Sequence, residues 1–275
     1  MGALPATLRR IIGKQAWCPP LMDRINFSPP LLNASGSLGY APKVENQKTH
    51  SFLGAFVTKP LSMRPRTPAR GQRLARVPSG TLLHSGQPNP GLSAVLQTYG
   101  KRWAESPLPI IAHVMGGSND PVGPMIERLE MQENVTAVEL GLPWDISIHE
   151  AAQCTRDALG ELPLVVQLPL ARAYDLAGAV VDAGAQAVSL GPPRGASPRE
   201  EGGLLSGRLY GPAVFPLALH MVEALTHDGY PVIGAGGVFS RANATAMLKA
   251  GAIAVQLDTI LWRENAQALF ESFNE

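Results

Sequence analysis

The sequence predicts a single α/β domain folded as a (β/α)8 TIM barrel, on three observations. Eight short apolar runs recur along the 275 residues, with helical segments between them. Most of these runs show no polar alternation, the mark of strands buried on both faces. A junction of helix end, glycine and strand entry also repeats: Asp182-Ala183-Gly184-Ala185-Gln186-Ala187-Val188-Ser189-Leu190 parallels Lys249-Ala250-Gly251-Ala252-Ile253-Ala254-Val255-Gln256-Leu257. Thr136-Ala137-Val138-Glu139-Leu140 is a weaker echo. Such units indicate a parallel sheet. Eight of them favour closure, with a doubly wound open sheet as the alternative, and the length is near the ~250 residues typical of a barrel.

In chain order, strands are expected near Leu31–Gly36, Ala55–Leu61, Pro109–Gly116, Ala137–Leu142, Leu164–Leu170, Ala187–Pro193, Pro231–Gly237 and Ala254–Ile260. Helices are expected at Pro90–Ala104, Val122–Gln132, Ile148–Leu159, Tyr174–Ala183, Ala213–His227, Arg241–Ala250 and Arg263–Phe273. Ser147-x-x-Glu150 reads as a capping box opening the third helix, and Ser240 as the N-cap of the sixth. Residues 1–24 read as an N-terminal tail and 25–275 as the barrel domain. In the tail, Leu4, Leu8, Ile11 and Ile12 could line one side of a short helix opposite Arg9 and Arg10. A membrane-surface element and a disordered or docked tail are both open, and Met22 is a second candidate start.

Composition narrows the function. Hydrophobic residues make up 45% and charged residues 16%, enough for a large core. The net charge of +1 gives no electrostatic case for nucleic acid or an anionic membrane. Cys18 and Cys154 cannot form a disulfide framework, and no Cys/His cluster suggests a metal. With no secretory signal and no stretch of ~20 apolar residues, a soluble cytoplasmic protein with a small-molecule substrate is expected.

In such barrels the loops after the strands carry function. Gly234-Ala235-Gly236-Gly237 follows the seventh strand, where backbone N–H groups and a helix N-terminus suit a phosphate. A turn with glycines for packing alone is the alternative. Lys59, in Val57-Thr58-Lys59-Pro60, stands at the mouth of an apolar strand and needs an anionic or electron-rich partner.

Asn33-Ala34-Ser35-Gly36-Ser37-Leu38-Gly39-Tyr40 and Leu53-Gly54-Ala55-Phe56-Val57-Thr58-Lys59 resemble the start of FMN-dependent dihydroorotate dehydrogenases of the class 1 type. The similarity continues through Pro65-Arg66, Arg73-Leu74, Asn89-Pro90-Gly91, Tyr210-Gly211-Pro212-Ala213, Gly234-Ala235-Gly236-Gly237-Val238 and Ala254-Val255-Gln256. The resemblance implies FMN across the barrel mouth. Ala34, Ser35 and Gly36 would lie under the flavin, and Lys59 would reach its ring and the substrate as the catalytic residue. Gly211, Gly236 and Gly237 would surround the phosphate, with Asp258 and Thr259 beside them. It further implies a homodimer, with an electron-transfer subunit as a second partner in some members.

The departures fall on the substrate side. The family's Asn-x-Ser-Cys-Pro-Asn loop, which carries the base, is here Gly141-Leu142-Pro143-Trp144-Asp145. The family's strand-five lysine at the flavin edge is Gln167, the Asn after strand six is Pro192, and the Asn before the Asn-Pro-Gly loop is Leu83, with His84 next to it. Asp258 takes the place of the usual glycine beside the phosphate. His84, His149 and Ser147 are candidate replacement groups, with capping as the alternative for Ser147, while Cys154 reads as a packing thiol. Three readings follow: a flavoenzyme acting on another substrate, a catalytically silent flavin- or nucleotide-binding homologue or subunit, and an authentic dihydroorotate dehydrogenase with an atypical site. Arg64, Arg66, Arg70, Arg73 and Arg76 read either as an attractor for anions or as a solvated loop. The Gly191–Gly211 segment, with Arg194, Arg199 and a Gly202-Gly203 hinge, reads as a candidate lid.

Overall fold

The computed structural model describes residues 25–42, 50–117, 121–199, 202–270 and 273. The tail 1–24, with its Leu4, Leu8, Ile11 and Ile12 face, Arg9, Arg10, Cys18 and Met22, lies outside the described residues. Along the chain β1 (Leu31–Asn33) and β2 (Phe56–Val57) precede a hairpin of β3 (Leu74–Val77) and β4 (Gly80–Leu83). Then come α1 (Leu92–Ala104), β5 (Ile110–Met115), α2 (Val122–Glu130), β6 (Val135–Gly141), α3 (Ile148–Asp157), β7 (Leu164–Pro169), α4 (Ala173–Asp182) and β8 (Ala187–Gly191). A second hairpin of β9 (Arg194–Pro198) and β10 (Leu204–Tyr210) leads to α5 (Phe215–His227), β11 (Val232–Ala235), α6 (Arg241–Lys249), β12 (Ala254–Leu257) and α7 (Ala266–Phe270).

Eight strands form one parallel sheet in the order β1-β12-β11-β8-β7-β6-β5-β2. A parallel bridge between Leu32 and Ala55 joins the two end strands. Asn33 completes that seam, donating to the Val57 carbonyl (2.7 Å) and accepting from the Val57 amide (2.8 Å). Its side chain thus satisfies backbone groups that the short β1–β2 ladder leaves open. The sheet is a barrel, not an open doubly wound layer.

Alternation along the strands divides the core. Leu32, Val57, Ile111, Ala137, Val165, Ala187, Ile233 and Ala254 pack together in the barrel interior. Their sequence neighbours, such as Leu31, Phe56, Ile110, Val138 and Val166, join the larger cluster shared with the helices. Two residues further along each strand, the same inward parity places His113, Glu139, Gln167, Ser189 and Gln256 one layer nearer the C-terminal mouth.

Three expectations meet their limits here. Strand Ala55–Leu61 shrinks to β2, because Pro60 has no amide to continue the ladder. The arginine-rich stretch is not wholly loop, and Gly191–Gly211 is largely a hairpin and not a continuous loop. Both contribute to a four-stranded antiparallel sheet, β3-β4-β10-β9, joined by pairs such as Leu83 with Arg208 and Thr81 with Tyr210. That pairing spans more than a hundred residues, so no local pattern announces it. Both expected helix caps are present: Ser147 and Glu150 form a reciprocal capping box, and Ser240 accepts from the Asn243 amide.

Candidate functional site

Both hairpins follow C-terminal ends of barrel strands and so wall the mouth. Between them and the barrel lies a cleft with two arms. The broad arm, about 490 Å3, is floored by His113, Gly141 and Gln167 and walled by Leu83, His84, Arg66, Arg194, Arg208 and the Leu142–Asp145 loop. The narrow arm, about 40 Å3, is lined by Ala34, Ser35, Gln167, Gly211, Gly236, Gly237, Asp258 and Thr259, with Tyr210 and Gln256. Gln167, Pro192 and Arg208 belong to both.

The sequence-derived cofactor residues therefore converge, with two exceptions. Gly36 and Lys59 line neither arm. Lys59 donates its amide to the Gly39 carbonyl (2.7 Å), and its ammonium sits 5.7 Å from the centre of the Tyr40 ring. Of the candidate replacement groups, His84 lines the broad arm. Ser147 is engaged as the α3 cap, and His149 is exposed on that helix. Cys154 is half-buried against the core, where burial pushes its thiol up.

The floor holds a network that motif reading missed. Glu139 is buried and accepts hydrogen bonds from His113 Nδ1 (2.7 Å), Ser189 Oγ (2.6 Å) and Gln256 Nε2 (2.7 Å). Burial alone would push its carboxyl up, but the donations from His113, Ser189 and Gln256 outweigh it and hold the group below its ordinary range. Glu139 is thus an ionised acceptor, and Nδ1 must carry the hydrogen. The signal available in the sequence was parity: a His, a Glu and a Gln at inward positions of otherwise apolar strands.

The rest of the cleft is polarised by arginine. Gln87, with its amide oriented so that the oxygen faces Arg208, accepts from both terminal guanidinium nitrogens at 2.9 Å. Arg194 lies 5.1 Å from the Trp144 ring, whose indole is largely exposed at the rim. Asp258 has its carboxyl pushed up to about 7 by burial, against the opposing pull of Arg208.

The chemistry of the narrow arm fits a flavin nucleotide. Among the described residues the buried Gln256 Oε1 has no hydrogen-bond partner, and Gln256 lines that arm, so an acceptor is left unsatisfied beside it. At Gly211 and Gly237, with φ of 142° and 68°, an added Cβ would come within 2.3 Å of the Ser79 carbonyl oxygen and the Phe215 amide, respectively. Glycine is therefore required there by chain packing and by the positive φ, at two residues that line the arm.

A (β/α)8 barrel with a polar, arginine-walled cleft at its C-terminal mouth belongs to the class of barrels that place ligands on strand-end loops. The model of the family described as "Dihydroorotate dehydrogenase" matches residues 22–151 and 193–271. Among curated proteins, the chain is 30% identical over 263 residues to "Dihydroorotate dehydrogenase B (NAD(+)), catalytic subunit" of Latilactobacillus sakei, covering 86% of this chain and 84% of that protein. It is 31% identical over 258 residues to the protein of the same name from Cutibacterium acnes, with the same coverage. It is 32% identical over 257 residues to "Dihydroorotate dehydrogenase A (fumarate)" of Lacticaseibacillus paracasei, covering 82% and 86%. The chain belongs to the dihydroorotate dehydrogenase family, a family of FMN-dependent oxidoreductases. The family match breaks between residues 151 and 193, the stretch that carries β7 with Gln167 and then β8.

Proposed function

We propose that this protein is an FMN-dependent oxidoreductase that acts on a small anionic substrate other than dihydroorotate. The observation that carries this reading is the wall of the broad arm. Gly141, Pro143, Trp144 and Asp145 stand in the place of the family's base-bearing loop, while Arg66, Arg194 and Arg208 line the same space. A site built of asparagine hydrogen bonds loses its substrate when those groups become Gly, Leu and Pro. Guanidinium groups instead recognise a carboxylate.

In this reading FMN is held by Ala34, Ser35, Gln167, Gly211, Gly236, Gly237, Asp258 and Thr259, with Gly36 and the Lys59 cation outside the cleft next to β1 and β2. When bound, it supplies two-electron hydride acceptance. The chain's own residues position it: Gln256 offers an acceptor, the glycine turns leave room for the phosphate, and the hairpin sheet shields the cleft from water. No helix of the described residues is long and apolar enough to cross a membrane. A cytoplasmic homodimer, with an electron-transfer subunit as a second partner, completes the proposal.

The test is a visible spectrum of the purified protein after adding FMN and desalting, followed by anaerobic addition of dihydroorotate. Retained flavin bands that dihydroorotate leaves unbleached are expected. Bleaching would replace this reading with an authentic dihydroorotate dehydrogenase. A protein that fails to retain FMN would overturn the flavoenzyme reading.

A further inference from the structure

We propose that His113 is the acid–base group of the broad arm, with Glu139 as its positioning residue. This deepens the reading above and rests on it for the nature of the reaction. The imidazole is nearly fully buried on β5, and its Nδ1–H is committed to the Glu139 carboxylate at 2.7 Å. Among the described residues no hydrogen-bond partner is found for Nε2. That atom faces Gly141, where an added Cβ would stand 2.6 Å from it. His113 and Gly141 both line the cavity, so the glycine is what leaves Nε2 reachable.

The layer below is wholly apolar, and apolar side chains would fill this one without desolvating a carboxylate. A carboxylate that fixes one ring nitrogen and leaves the other facing a cavity is the arrangement that prepares imidazole for proton transfer. It also supplies a buried, oriented proton acceptor in a cavity whose Gly141–Asp145 loop carries no cysteine.

A C–H bond next to a carbonyl or carboxylate breaks, and its proton goes to Nε2. The electron pair left behind forms a carbon–carbon double bond as hydride departs from the adjacent carbon to the flavin acceptor. The substrate loses two electrons and the acceptor gains them. The imidazolium is countered by Glu139 until its proton passes to solvent. The other ionisable groups around this cavity are Arg66, His84, Asp145, Arg194 and Arg208.

Two measurements test this. First, the flavin-loaded protein is treated with diethyl pyrocarbonate and the modified histidines are located by mass spectrometry. His113 is expected to be labelled in the wild type, to be lost as a target in Gly141→Ala, and to react about 10-fold more slowly in Glu139→Gln. An unlabelled His113 beside a labelled, exposed His149 would overturn the proposal. Second, dihydroorotate, succinate and, as an uncharged comparator, dihydrouracil are mixed anaerobically with wild type and His113→Asn. For any compound that bleaches the flavin, the variant should be at least ~100-fold slower and lose the low-pH fall in rate, with binding changed less than ~3-fold. Equal rates would overturn the role of His113 while leaving the flavoenzyme reading intact. If none of the compounds bleaches wild type, the labelling result alone decides on His113, and the choice of substrate class fails separately.

Discussion

Glu139 keeps its charge in the barrel interior because three donors converge on it, and removing the charge should be visible in stability. Glu139→Gln is expected to destabilise the protein by about 3 kcal/mol at pH 7, measured by urea unfolding, since the partners lose an ionic acceptor. The folded-state pKa lies below the ordinary 4.5, so this contribution is fully present above that value and is lost as pH falls through the depressed one. The variant should therefore lose less stability than wild type between pH 5 and about pH 3. Asp258 runs the opposite way. Its carboxyl is raised from 3.8 to about 7, so the fold favours the neutral acid, and the penalty of ionising it grows as pH rises across that window. If FMN phosphate lies beside it, wild type should hold FMN more weakly at pH 8 than at pH 6 by a larger factor than Asp258→Asn does. Equal pH dependence in the two, measured by flavin fluorescence titration, would place the carboxylate away from the phosphate.

At the scale of elements, the hairpin sheet is the feature that makes a cleft out of an open barrel mouth. Its central contact is β4 against β10, and there Gly207 leaves no room: an added Cβ would approach the Leu83 carbonyl carbon and oxygen within 2.7 Å. Leu82 and Leu205 are buried beneath the sheet, while Leu74 and Leu204 are exposed. Gly207→Val should separate the hairpins while leaving the barrel folded. The expected result is faster proteolysis between Arg194 and Tyr210, with the helical circular dichroism retained; unchanged proteolysis would show that the sheet tolerates the bulk. The caps of α3 and α6 were readable because each depends on residues three apart. The hairpin sheet was not, because β4 and β10 meet only after the barrel has brought their strand ends together.

The whole molecule closes at Asn33. Asn33→Ala removes both bonds to Val57 and leaves buried backbone groups unpaired, a loss of about 2–3 kcal/mol by thermal or urea unfolding. An effect under about 0.5 kcal/mol would mean that the seam is held by packing alone. The sequence by itself determined the alternation of strand and helix, the eightfold count that became a closed barrel, and the glycine turns around Gly236. These are local patterns, set by side-chain periodicity and backbone conformation within a few residues. Only the tertiary structure decided that Gln167, Gly211 and Asp258 share one cleft arm while Lys59 stands outside it. It likewise decided that His113 meets Glu139, Ser189 and Gln256. Parity points each of these side chains inward, but which of them touch depends on the stagger of the strands around a closed barrel, and that stagger exists only once the chain has folded.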